Sequence, residues 1–107
     1  MANGKRNTMD IRIREAVHSV EPEANLILYG SRARGTASPE SDWDLLILVD
    51  GEISNDRVDR IRSQLYEVEW DTGEVITSVI RTKAEWHSKT WRAMPFHQRV
   101  ETEGIAL

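Results

Sequence analysis

The chain reads as a small α/β (α+β) domain, with a central sheet of about three or more strands flanked by helices. Three observations predict this. Asn25–Tyr29 and Trp43–Val49 are short apolar runs closed by Gly30 and by Asp50-Gly51, too short for buried helices. The segments before and after them repeat their apolar residues at helical spacing. Strand-like and helix-like segments alternate with neither an internal repeat nor a Pro/Gly/Ser-rich linker.

Bulk composition bounds the rest. The 107 residues are 39% hydrophobic and 30% charged, which predicts one folded domain over residues 1–107, with residues 1–7 as a flexible tail. A net charge of −4 provides no overall basic field, so strong nucleic-acid binding is not expected and any phosphate binding must be local or metal-assisted. Without cysteine there is no disulfide framework, no thiolate nucleophile and no cysteine zinc site. No apolar run approaches the roughly 20 residues of a membrane span. The polar start, MANGKRNTMD, lacks the apolar core of a secretory signal, so the expected location is cytoplasmic.

Taken in order, Met9, Ile13, Ala16, Val17 and Val20 predict a helix over 9–20, with Thr8 as its cap and Pro22 as its stop. Asn25–Tyr29 is a buried strand. Residues 31–35 suit a short helical turn whose amides form an anion site, and residues 36–41 are loop. Trp43–Val49 is apolar at successive positions, as in a strand covered on both faces. Ser54 caps a helix whose stripe is Val58, Ile61, Leu65 and Val68, ended by Asp71-Thr72-Gly73. Residues 74–80 are rich in β-branched side chains and predict a third strand. Thr82 and Glu85 form a capping box opening a short helix. Pro95 opens a last helix, with Phe96 and Val100 inward and Gly104 beyond its end.

The chemistry concentrates where two strands meet a loop. Gly30-Ser31 ends the first strand; after ten intervening residues Asp42-Trp43-Asp44 opens the second. Asp42 and Asp44, two apart on a strand, share a face, while Trp43 projects to the other. A turn cap and two solvated strand-entry charges would need no function. Chance is a poor explanation when each part lies at the correct end of a predicted strand. Two hard oxygen ligands beside a phosphate-sized turn match Mg²⁺, which takes one or two carboxylates plus substrate phosphates.

On these residues, GSRARGTASPESDWDLLI resembles the nucleotidyltransferases of the DNA polymerase β-like superfamily, and specifically their small minimal nucleotidyltransferase domains. The likeness covers roughly residues 10–80 and implies the polymerase β-like nucleotidyltransferase fold. It further implies that Gly30 and Ser31 hold the phosphates of ATP or another nucleoside triphosphate, and that Asp42 and Asp44 are the catalytic, Mg²⁺-binding pair. The implied reaction moves a nucleoside monophosphate, AMP from ATP, to an acceptor hydroxyl. Such domains often pair with a helical HEPN protein, some as antitoxins, so a HEPN partner is the implied setting; a homo-oligomer is left open.

One departure stands out. The family's third acid lies on the next strand, and aligning residues 73–79 on that pattern puts Thr77 in its place. Glu74 is three residues early on the same strand, and Glu69 falls on the preceding helix, so the third acid is Glu74, Glu69 or none. Binding of a Mg-nucleotide survives this loss more easily than turnover does, so a nucleotide-binding or partner-binding module is the alternative function.

Arg32 and Arg34 follow Ser31 and have phosphate-matching guanidinium forks; Arg32 is the candidate nucleotide-binding residue. His18, His87 and His97 fall on separate helices without shared ligand spacing, which reads as surface or partly buried placement. Trp43, Trp70 and Trp86 are expected in the core, while Trp91 fits a core or an interface equally.

Overall fold

The computed structural model describes residues 4–107. Its elements are α1 (Gly4–Val20), β1 (Asn25–Tyr29), α2 (Ser31–Arg34), β2 (Trp43–Val49), α3 (Asn55–Thr72), β3 (Ile76–Thr82), α4 (Lys83–Trp86), α5 (Lys89–Arg92), α6 (Pro95–Glu103) and β4 (Ile105–Ala106). The sheet has four strands in the order β3-β2-β1-β4. β1 runs antiparallel to both β2 and β4, while β2 and β3 are parallel. The parallel pair needs a crossover, and α3 supplies it.

Alternation along the strands builds a layer on each face of the sheet. Trp43, Leu45, Ile47 and Val49 of β2 join Leu26 and Leu28 of β1 on one face. The stripes Met9, Ile13 and Val17 of α1 and Ile61, Leu65 and Val68 of α3 close over them. On the other face Leu46, Leu48 and Tyr29 pack against Trp86 of α4 and Val100 of α6. His97 is buried there too, its ring stacked on Trp86 at 4.2 Å between centroids. Burial on both sides is why β2 is apolar at every position from Leu45 to Val49.

The structure departs from expectation at several places. α1 starts at Gly4, so residues 4–7 are helix rather than tail and Thr8 lies inside the helix; residues 1–3 lie outside the described residues. Once the buried stripe has nucleated the helix, extending it costs little, and Arg6 pairs with Asp10 one turn on at 3.4 Å. The third strand begins at Ile76, because Glu74 just before it is tied to Trp43 and Arg32. The single helix expected after Thr82 is two short ones, α4 and α5. β4 was not anticipated; two residues carry no periodicity.

Trp70 is also a correction, for it is 90% exposed. It lies two residues beyond Val68, about 200° around the helix from the buried stripe. Trp86 does enter the core, and Trp91 is half-buried against it at 6.1 Å.

The sheet edge at β3 is closed by side chains rather than by another strand. Glu69 accepts from the Ile76 amide at 2.8 Å, Arg62 donates to the Ser78 carbonyl at 3.3 Å, and Arg81 donates to the Ile80 carbonyl at 2.7 Å. Edge groups satisfied in this way are poor templates for a further strand.

The two tryptophans make a test of this packing. Trp86→Ala should cost about 3–5 kcal/mol, whereas Trp70→Ala should change stability by less than about 0.5 kcal/mol. Denaturant unfolding of the two variants measures both; equal losses would contradict the burial described.

Candidate active site

The site is built by one strand pairing. β1 and β2 align Tyr29 opposite Asp44, so the Gly30 turn that follows Tyr29 lands against the start of β2. Gly30 has φ 77° and ψ −161°, a conformation reserved for glycine. A Cβ built on Gly30 would run into the Asp44 carboxylate. The glycine therefore both makes the turn and lets the carboxylate approach the backbone.

After Gly30 the chain turns once. The amides of Ala33 and Arg34 donate to the Gly30 carbonyl, each at 3.0 Å, and Gly35 in the left-handed region ends α2. Ser31 opens this turn as expected. The loop to Asp42 is then held from within: the Ser38 amide donates to Ser41 Oγ at 2.9 Å, and the Ser41 amide to the Ser38 carbonyl at 3.1 Å.

Arg32 is engaged by the loop itself. Its guanidinium donates to the Ser41 carbonyl at 2.9 Å, reaches the Pro39 carbonyl and Glu74 Oε1 at 3.4 Å, and lies 4.5 Å over the Trp43 ring. Trp43 Nε1 donates to the same Glu74 oxygen at 3.0 Å. Arg32 thus follows Trp43 to the face opposite Asp42 and Asp44 and clamps the loop, which is a positioning task. Arg34 stands on the carboxylate side instead, where its charge acts on Asp44.

Asp42 is exposed and Asp44 half-buried. Burial pushes the Asp44 carboxyl above its ordinary range, with the negative charges of Asp42 and Glu103 adding to the effect; Arg99 and Arg34 oppose it. Tyr29, beside Asp44, is raised as well, first by burial and then by the Asp44 charge. Three carboxylates, Asp42, Asp44 and Glu103, thus share this corner with two guanidinium groups, Arg34 and Arg99.

The register brings Thr77, the position that the resemblance gives to a third acid, beside the two aspartates. Thr77 of β3 pairs directly with Asp44 of β2, and its hydroxyl donates to Asp42 Oδ2 at 3.2 Å. Neither alternative replaces it. Glu74 is engaged with Trp43 and Arg32, and Glu69 holds the Ile76 amide at the outer edge of β3. Among the described residues no three acidic, His or Cys side chains come together as a complete metal-binding set. Two aspartates completed by substrate phosphates are the donor set that Mg²⁺ accepts, so Asp42 and Asp44 fit that ion.

Sequence reasoning missed one residue here. Glu103, the last of α6, accepts from the Gly30 amide at 2.6 Å and from Arg34 Nη1, which lies 3.2 Å from each carboxylate oxygen. It is 73 residues from Gly30 and belongs to no motif, so no spacing rule pointed to it.

Comparison with known proteins places the chain in a family and a fold. A family model described as "Nucleotidyltransferase domain" matches residues 11–103. No curated protein matches the chain. Among solved structures, one described as "Crystal structure of the toxin-antitoxin with AMP-PNP" is similar, with a TM-score of 0.64 and 18% identity over 91% of this chain and 70% of that one. At that identity the likeness is one of fold.

The combined demand of backbone conformation and Asp44 contact on Gly30 can be measured against a simpler glycine. Gly35 also has positive φ but has open space where a Cβ would go. Gly35→Ala should therefore cost about 1 kcal/mol of backbone strain, and Gly30→Ala measurably more in thermal or denaturant unfolding. Equal costs would show that Asp44 does not crowd Gly30.

Proposed function

The chain belongs to the nucleotidyltransferase domain family, and from that premise we propose that it transfers AMP from ATP to an acceptor hydroxyl, with Mg²⁺ held by Asp42 and Asp44. The observation that carries this reading is the apposition of the Gly30-Ser31 turn and the Asp42/Asp44 face across the β1–β2 pair. The turn presents backbone amides to phosphate oxygens, and Arg34 adds a cation on the same side. The bound metal would offset charge on the triphosphate and on the leaving pyrophosphate. Asp42 and Asp44 hold their oxygens on one face because they are two residues apart on a strand. Arg32, Trp43 and Glu74 keep the loop that carries Asp42 in place from behind. The acceptor hydroxyl would enter on the Thr77 side, next to Asp42.

The setting we propose is that of an antitoxin acting with a helical HEPN-type partner. The solved structure of similar fold is described as a toxin-antitoxin with an ATP analogue, which supports this choice.

Calorimetric titration of ATP, with and without Mg²⁺, tests the site. The wild type should bind only with metal, and Asp42→Asn/Asp44→Asn should lose binding by at least about a hundredfold, or 2.7 kcal/mol. Undiminished binding in the folded double variant would remove these residues from the site.

A second reading, a module that binds nucleotide or a partner with little turnover, is favoured by one observation: Thr77 occupies the position paired with Asp44. A hydroxyl there is a poor metal ligand and a poor base. If the missing carboxylate limits chemistry, Thr77→Asp should raise the rate of label transfer from α-phosphate-labelled ATP about tenfold or more. A fall in rate would show that the wild-type site works through Thr77 as it stands.

A further inference from the structure

Glu103 does something unusual for the last residue of a helix. A helix C-terminus is the negative end of the helix dipole and disfavours a carboxylate. Here the side chain is nonetheless drawn inward, to 13% exposure, against the Gly30 amide and the Arg34 guanidinium. Its two oxygens engage one backbone N–H and one arginine, the same pair of donors that a phosphate group would use at this turn. Asp42 and Asp44 present no hydrogen-bond donor to it; Glu103 sits beside them as a third negative charge.

The backbone explains how the carboxylate is held. Directly after Glu103, the Gly104 amide donates to the Val100 carbonyl at 2.7 Å. A side chain at Gly104 would strike that carbonyl and Ile27 of β1. β4 then pairs with β1 through Leu28 opposite Ile105 and Ile27 opposite Ala106, and the Leu107 amide donates to the Leu26 carbonyl at 2.9 Å. The end of α6 is thus fastened to the strand that terminates in Gly30. The fastening is short, two strand residues at a sheet edge, which makes it inexpensive to shift.

We propose that Glu103 is an intramolecular occupant of the phosphate subsite, a latch whose carboxylate covers the Gly30 amide and Arg34 until a triphosphate displaces it. The inference rests on the nucleotide site proposed above. Displacement exchanges one carboxylate for a more highly charged phosphate chain on the same donors, and it removes a negative charge from beside Asp44. Nucleotide binding is then reduced by the fraction of molecules in which the latch is closed.

The test is titration of Mg·ATP into the wild type, Glu103→Gln, Glu103→Ala and Glu101→Gln, with thermal unfolding to show that each is folded. Glu103→Gln keeps the shape and an acceptor for the Gly30 amide while deleting the charge, so it remains informative if the alanine variant is unstable. Both Glu103 variants should bind about tenfold more tightly than the wild type, as expected of a latch closed in about nine molecules of ten. Glu101 is 61% exposed on the same helix, and its variant should bind like the wild type. If the wild type binds and the folded Glu103 variants bind equally well or more weakly, the latch is overturned and the nucleotide site stands. If neither the wild type nor any folded variant binds Mg·ATP, the nucleotide site itself is wrong and the latch falls with it.

Discussion

Everything at the candidate site depends on the antiparallel register of β1 and β2. With Tyr29 opposite Asp44, the end of one strand and the start of the other meet at the same edge of the molecule. A slip of one residue would turn Asp42 and Asp44 towards α1 and α3 and bring Trp43 to the site face. That slip is prevented by the core. Leu45, Ile47 and Val49 are almost wholly buried under α1 and α3, and Leu46 and Leu48 under the α4–α6 layer. The register is expensive to change from either side, and the loop between the strands inherits its position from them.

The same sheet separates two groups of charges that lie close together in sequence. Arg32 and Arg34 are two residues apart on one helical turn, yet they serve opposite faces. Arg32 stacks on Trp43 and joins Glu74 behind the aspartates, while Arg34 faces Asp44 and Glu103. A planar guanidinium matches a carboxylate, a phosphate, a carbonyl pair or an aromatic face equally well. Residue type alone therefore does not say which neighbours each arginine meets; the tertiary surroundings do.

The far end of the sheet shows a comparable division of labour without any catalytic side chain. Arg57 of α3 binds Glu21 at 2.7 and 2.8 Å and the carbonyls of Asp50 and Glu52 at 2.6 and 2.8 Å. One guanidinium thereby ties the end of α1 to the turn after β2. Its hydrogen bonds hold the Glu21 carboxyl below the ordinary range, so that pair adds stability above the usual carboxylate pKa and loses it as pH falls through the lowered value. At this end the carboxylates of Glu21 and Asp50 each have a basic partner, whereas at the other end Asp42 and Asp44 lie together with Glu103 as a third carboxylate.

The sequence by itself determined the strands β1 and β2, the cap and stripe of α3, and the positions of Gly30, Ser31, Asp42 and Asp44 at strand ends. These follow from period, burial and turn chemistry, which are local quantities. Thr77, which the family resemblance aligns with the third acid, pairs with Asp44 in the sheet, a neighbour that only the β2–β3 register supplies. Trp70 shows the limit of hydrophobic character as a guide: its angle from the buried stripe, not its side chain, explains its exposure. Only the tertiary structure decided the roles of Arg32 and Glu74, the burial of His97, the strand β4 and the closure of Gly30 by Glu103. Each depends on groups brought together from distant parts of the chain by packing, and such long-range contacts leave no spacing in the sequence from which to read them.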